Sequence, residues 1–310
     1  MEQNWGLVFS GGGAKGAYQI GVWKAMKELH MENWIDRIAG ASIGSLNAAL
    51  FACGDYAMAE TAWSEVDLLS VFDTDWALID GKEGTFSREV MLTLIRRYVQ
   101  YPKLAVNRHP VVCSVSRILV HDQYISSIQG LLGDTVYSGE YMRLDGRTPY
   151  DVEAILLASS AMPIIHEAVE INGSFYRDGG LTDNCPIRPL YEMGCRKIVV
   201  VGLKAEMERF QAAFPDVEFL SVYPSHSLGD LLHGTLNFRP NYIKLCQKLG
   251  YKDGMRVFHA YKNGDNNLLK MQELAERDYQ EVMMEFRQEV LQSSVDEHMD
   301  TLQGIIDKYS

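Results

Sequence analysis

Short apolar runs alternate with stretches of helical periodicity along most of the chain. Gly6-Leu7-Val8-Phe9 has strand length and ends in Ser10-Gly11-Gly12-Gly13, and behind it Ile20, Val22, Trp23, Met26 and Leu29 recur on one helix face. The next unit repeats the plan. Ile35 to Ala39 reads as a buried strand, Gly40 to Gly44 as a tight turn, and Ser45 to Cys53 as a helix that Gly54 can terminate. Strands that alternate with helices in this way imply an α/β protein with a parallel sheet.

The pattern weakens from Val66 to Phe86, which is the candidate for a mobile cover, and returns as a helix over Ser87 to Tyr101. Val111 to Val120 is rich in β-branched residues, as a strand should be, and Tyr150 to Ser159 has helical spacing that stops before Pro163. Val169 to Tyr176 alternates in period two about Asn172-Gly173, a hairpin signal. Ile198 to Leu203 and Phe219 to Val222 are further strand runs. From Asn266 onward the chain reads as helix, with Val282, Phe286 and Val290 four apart, a packing or partner surface. No internal repeat or linker stands out, so one domain with helical additions is expected.

Composition narrows the function classes. A chain of 310 residues with 47% hydrophobic content can bury a sizeable core. A net charge of −12 without any Lys/Arg-rich run excludes a nucleic-acid binder and leaves no polybasic patch for anionic membranes. Cys53, Cys113, Cys185, Cys195 and Cys246 are scattered and form no C-x-x-C pair, which fits reduced thiols better than a disulfide framework or zinc site. The opening Met1-Glu2-Gln3-Asn4-Trp5 lacks the features of a signal peptide, and no apolar stretch approaches the ~18 residues of a membrane span. A soluble, cytoplasmic protein is expected.

The chemistry-bearing residues sit at the strand ends. Gly40-Ala41-Ser42-Ile43-Gly44 is a G-x-S-x-G pentapeptide between a strand and a helix, the setting of a nucleophile elbow; its bland reading makes Ser42 a helix cap. Gly11-Gly12-Gly13-Ala14-Lys15-Gly16 has two functional readings. With Asp36 about twenty residues on it is a dinucleotide fingerprint. Alternatively its backbone N–H groups, at a helix N-terminus, can hold the oxyanion of an acyl intermediate. A glycine turn for close strand-helix packing is the bland version. Asp178-Gly179-Gly180 places a carboxylate at the end of the hairpin strand, although Asp-Gly by itself is above all a turn.

These motifs, with Ala158-Ser159-Ser160-Ala161-Met162-Pro163 between the last two and Leu181-Thr182-Asp183-Asn184-Cys185-Pro186 behind the last, resemble the four sequence blocks of patatin-like phospholipases, in the same order. The resemblance implies a three-layer α/β/α fold with a mostly parallel central sheet, a patatin-like catalytic domain expected over 1–262; the helical C-terminal extension over 263–310, expected to pack on it, looks particular to this chain. It implies lipid acyl-ester hydrolysis through a dyad: Ser42 as nucleophile, Asp178 as base, and Gly11, Gly12 and Gly13 as the oxyanion hole. Lys15 would be the motif's basic residue, with Gly16, Gly40, Gly44, Gly179 and Gly180 in support. No cofactor and no metal are expected; the partners are a lipid or acyl-ester substrate and a transiently touched membrane or micelle surface.

Three other readings stay open at this point. One is a triad completed by His226, His233, His259 or His298, which follow Asp178. Another is a dinucleotide-binding oxidoreductase built on Gly11 to Gly16, and the third is a catalytically silent binding module on the same fold. Trp76, Leu78, Ile79, Leu231 and Leu232 are candidates for lipid contact, with burial in the core as the competing role.

Overall fold

The computed structural model describes residues 4–66, 88–106, 109–119, 136–163, 166–265 and 267–309, with side chains as far as 292. The expected cover, Trp76, Leu78 and Ile79 lie outside the described residues, apart from the first residue of that cover, Val66. Among the described residues, eight strands form one sheet: Trp5–Phe9 (β1), Ile35–Ala41 (β2), Val111–Ile118 (β3), Tyr137–Arg143 (β4), Val169–Ile171 (β5), Ser174–Asp178 (β6), Lys197–Val201 (β7) and Glu218–Val222 (β8). Their order is β5-β6-β3-β2-β1-β7-β8, with β4 also paired to β3. The β1–β2, β2–β3, β1–β7 and β7–β8 ladders are parallel, while β4, β5 and β6 join antiparallel.

Side-chain alternation along the central strands divides the core in two. Leu7, Phe9, Ile38, Val111, Val199 and Val201 join one apolar cluster. Val8, Ala39, Val112, Ile198 and Val200, their chain neighbours, join the other. Helices cover both faces. Ala17–Glu28 (α1), Ile43–Cys53 (α2), Tyr56–Ser64 (α3), Arg88–Tyr98 (α4), Tyr101–Val106 (α5) and Pro149–Ser159 (α6) contribute to the larger cluster, and the short Arg188–Glu192 (α7) and Met207–Ala213 (α8) to the smaller. This is the three-layer arrangement expected.

Local chemistry explains the boundaries. The hairpin turns on Asn172 (φ 51°) and Gly173 (φ 75°), the pair of left-handed residues that a two-residue turn needs to match strand twist. Thr148 and Asp151 form a reciprocal capping box at the start of α6, with Pro149 in its first turn. Strand β4 and helix α3 carry no sequence signal strong enough to anticipate. Along β4, Ser138, Gly139 and Glu140 break the two-residue alternation, and the strand is only partly buried at the sheet edge.

Pro240–Asn263 (α9) lies along α1 at backbone contact. A Cβ at Gly21 would stand 2.0 Å from the Gln247 carbonyl oxygen, and one at Gly250 2.0 Å from that of Tyr18. The long helix Leu268–Tyr309 (α10) packs on α9 in turn, and a buried charge cluster fastens the two to the sheet domain. Asp253 on α9 accepts from Tyr18 Oη (2.9 Å) and from the Ser225 amide (3.0 Å), and pairs with Arg256, which reaches Asp278 on α10 at 2.9 Å. No helix among the described residues is long and apolar enough to cross a membrane.

Removing one member of such a cluster leaves the others buried and uncompensated. Arg256→Met is expected to lower unfolding stability by about 3 kcal/mol in urea titrations. Lys252→Met, which breaks the more exposed Lys252–Glu281 pair, should cost less than about 1 kcal/mol.

Candidate active site

The site forms where two strands share one edge of a third. Strand β4 occupies one edge of β3 from Val112 to Ile118. On the other edge, β2 pairs Ile38–Ala41 with Val111–Ser114, and β6 arrives from the opposite direction to pair Tyr176–Asp178 with Arg117–Val115. The ends of β2 and β6 therefore abut. Ser42 is the first residue beyond β2, and Asp178 is the last of β6.

The elbow is tighter than a five-residue turn, because β2 runs to Ala41 and α2 begins at Ile43. Ser42 alone makes the bend, at φ 54° and ψ −131°. A side chain in so sparsely populated a region costs on the order of 1–3 kcal/mol unless its surroundings enforce it. Here the Ser42 amide donates to Ser159 Oγ (3.1 Å), and that hydroxyl donates to the Ser114 carbonyl (2.7 Å) and meets Ser45 Oγ at 2.7 Å. Close packing adds to this, since a Cβ on Gly44 would lie 2.2 Å from the Phe9 carbonyl oxygen and one on Gly40 2.3 Å from that of Gly44. Although Ser42 occupies the N-cap position of α2, its hydroxyl caps nothing.

The Ser42 hydroxyl instead donates to Asp178 Oδ2 at 2.6 Å, and Asp178 Oδ1 accepts the Gly180 amide at 2.7 Å. The Asp178 backbone is held at both ends: its N–H by the Ala161 carbonyl (3.0 Å), its carbonyl by the Ser116 hydroxyl (2.8 Å). The carboxyl is buried, and loss of hydration pushes it up to about 6, against the pull of the Ser42 and Gly180 hydrogen bonds. Gly179 and Gly180 form the turn behind it.

Gly11, Gly12 and Gly13 line the same cavity as Ser42 and Asp178, a space of about 220 Å³. They are not equivalent. Gly11 is clasped by Asn184, donating its N–H to the Asn184 carbonyl (3.1 Å) and accepting from Asn184 Nδ2 (3.2 Å). The Gly12 and Gly13 amides have no acceptor among the described residues. Gly13 lies at φ 59°, and a Cβ there would stand 2.2 Å from the Thr235 carbonyl oxygen.

Lys15 makes no hydrogen bond to Ser42 or Asp178. Its side chain runs against Gly234 in the π-helical turn Leu231–Thr235, with Cε 2.4 Å from where a Cβ of Gly234 would be. The Gly16 carbonyl accepts from Asn47 Nδ2. Asp36 lies near the start of β2, in register with the start of β1, whereas the glycine turn follows the far end of β1. That places the acidic residue at the wrong end of the sheet for a ribose, and the dinucleotide reading fails on this register.

Three of the four histidines named for a triad lie elsewhere. His226 stacks on Tyr279 with ring centroids 3.7 Å apart and pairs with Glu276 (3.0 Å), His233 pairs with Asp230, and His259 is exposed on α9. The side chain of His298 lies outside the described residues. Leu231 and Leu232 are exposed, 57% and 43%, rather than buried in the core. Sequence reasoning missed Ser159, Asn184, His166 and Met91. The first two stand inside motif blocks and were legible as candidates; His166 and Met91, which line the cavity, carry no signal in the chain.

The model of the patatin-like phospholipase family matches residues 7–191. Among curated relatives, lysophospholipase NTE1 of Cryptococcus neoformans is 29% identical over 201 residues, 65% of this chain and 11% of that protein. Lysophospholipase NTE1 of Saccharomyces cerevisiae is 24% identical over 335 residues, 97% of this chain and 17% of that protein. The chain thus spans a small part of the length of either. Among solved structures, VipD from Legionella pneumophila is similar with a TM-score of 0.48 and 15% identity, covering 82% of this chain and 66% of that chain.

Ser159→Ala removes the acceptor of the Ser42 amide and strands buried groups on Ser45 and Ser114. A loss of about 1–3 kcal/mol in chemical denaturation is expected. In any assay of Ser42 reactivity the folded variant should also be slowed, because the bend is no longer held.

Proposed function

The chain belongs to the patatin-like phospholipase family, and from that premise we propose that it hydrolyses fatty-acyl esters of lipids through a Ser42–Asp178 dyad. One observation carries the reading: the Ser42 hydroxyl lies 2.6 Å from a buried carboxylate, on a cavity lined by the Gly12 and Gly13 amides, which have no acceptor among the described residues.

Ser42 Oγ attacks the ester carbonyl carbon while its proton passes to Asp178 Oδ2. The carbonyl oxygen, now negative, accepts from the Gly12 and Gly13 N–H groups, with Gly11 acting through the Asn184 clasp that fixes the turn. A donor of this kind is typically worth about 10² to 10³ in rate. Asp178 then returns the proton to the departing alcohol oxygen, leaving the acyl group on Ser42. Water attacks the acyl-enzyme and gives a proton to Asp178, which passes it to Ser42 Oγ as the bond to the acyl group breaks, releasing the fatty acid and restoring the free serine. A carboxylate near its usual value is a poor base at neutral pH, and burial brings Asp178 closer to the working range. The α2 N-terminus beside Ser42 also favours the anionic intermediate.

The similarity to lysophospholipases supports a lysophospholipid as substrate. Leu231 and Leu232, exposed on the turn whose Thr235 lines the cavity, are the surface that would touch a micelle or membrane.

A fluorophosphonate is expected to label Ser42, read by peptide mass spectrometry; folded protein that stays unlabelled there would leave the binding-module reading in its place. Because Asp178 acts ionised, kcat/KM for an acyl ester should fall about tenfold per pH unit below about 6 and level off above it. Asp178→Asn should fold and lose about 10² to 10⁴ in kcat. Its stability should move the other way. With the folded value raised above the unfolded one, the native state tolerates the neutral carboxyl and is disfavoured once it ionises, so the contribution is lost as pH rises through about 6. Thermal denaturation should find Asp178→Asn more stable than the parent at pH 8, by on the order of 3 kcal/mol, with the gain vanishing near pH 4.

A further inference from the structure

Three cavities meet at one side chain. The space over Ser42 and Asp178, an apolar slot of about 40 Å³ between α2, α3 and α4, and a pocket of about 30 Å³ between α4, α6 and β5 are all bounded by Met91. Ile43, the residue after Ser42, is shared by the first two.

The slot is built to stay dry. Leu46, Leu50, Ala62, Leu94 and Ile95 face it. Its one amide side chain, Asn47, is spent internally, with Nδ2 on the Gly16 carbonyl (3.0 Å) and Gln19 Oε1 (2.7 Å) and Oδ1 accepting from Trp63 Nε1 (2.8 Å). Water has no partners in such a space, whereas burial of methylene groups is favourable there. As it stands the slot is too small for a fatty chain. Two side chains stand between it and the nucleophile's cavity, Ile43 and Met91, and Met91 is an unbranched thioether, the most adaptable of apolar side chains. Close packing elsewhere in the core makes a row of adjoining voids beside Ser42 stand out from ordinary packing.

Resting on the lipid-ester reading of Ser42, we propose that Met91 sets the acyl-chain length the site accepts, standing between the nucleophile's cavity and a slot into which the chain's methylenes run. Met91→Ala joins the cavities and Met91→Trp closes the passage. Ala62→Leu narrows the slot from the α3 side with Met91 and Ser42 left unsubstituted, and covers the case in which a Met91 variant fails to fold.

The test is labelling of Ser42 by butyl and by hexadecyl fluorophosphonate, with rates followed by mass spectrometry on protein shown to be folded by circular dichroism. The ratio of long-chain to short-chain rate is expected to rise about tenfold or more in Met91→Ala and to fall by a similar factor in Met91→Trp, with a smaller fall in Ala62→Leu. A ratio that stays at the parental value in every folded variant overturns the role of Met91 and leaves the hydrolase reading standing. Absence of label on Ser42 from both probes in the parent protein removes that reading, and this inference with it.

Discussion

Strand β3 has two edges, and three strands claim them. Because β4 takes one edge along almost its whole length, β2 and β6 must divide the other, running toward each other and stopping where they meet. Everything at the site follows from that collision. A parallel strand that can go no further must turn out of the sheet, and it does so in a single residue, Ser42. The antiparallel strand ends one register step away, at Asp178. Proton-transfer distance between hydroxyl and carboxylate is thus set by backbone hydrogen bonds, which are rigid, and not by the rotamers of long side chains.

Such a meeting has a cost, and the surroundings of Ser42 show how it is offset. The bend puts a non-glycine residue at positive φ, and the buried hydroxyl of Ser159 holds the amide there while Gly40 and Gly44 let neighbouring backbone close in. That same hydroxyl takes up the Ser42 N–H. In the proposed reaction the oxyanion therefore falls to the glycine turn across the cavity, where the Asn184 clasp commits Gly11 and leaves Gly12 and Gly13 open. Strain, support and donor geometry are consequences of one another.

Much of this was legible in the chain because it is local. Periodicity found the central strands and the helices behind them, and Asn172-Gly173 announced the hairpin through the left-handed conformations it adopts. The G-x-S-x-G setting marked the bend at Ser42. What escaped is tertiary. Which glycine amide is free depends on Asn184, far along the chain, and the side chain that holds Ser42 comes from α6. Strand β4 hides because an edge strand need not alternate, and Lys15, equally at home beside the reacting atoms by sequence, turns toward Gly234. Asp36 stood at a plausible spacing for a ribose contact, yet strand register sends it to the opposite end of β2.

In the proposed reaction, the head-on arrangement also bears on why a carboxylate alone would serve. With Ser42 Oγ already 2.6 Å from Asp178, no room exists for an imidazole between them, and the histidines that follow Asp178 in the chain are spent elsewhere or lie on the surface where their side chains are described. A carboxylate left to act as base must be made more basic, and the means available is removal of water. Burial pushes Asp178 up to about 6, and the cavity beside it carries apolar residues that suit an alkyl chain, Ile43, Met91, Leu236 and Phe238. An acyl chain entering that space would expel more water and strengthen the electrostatics at Ser42. In the proposed reading, apolar substrate and lone carboxylate are therefore two requirements met by one feature, a partly apolar cavity at the point where two strands run out of edge.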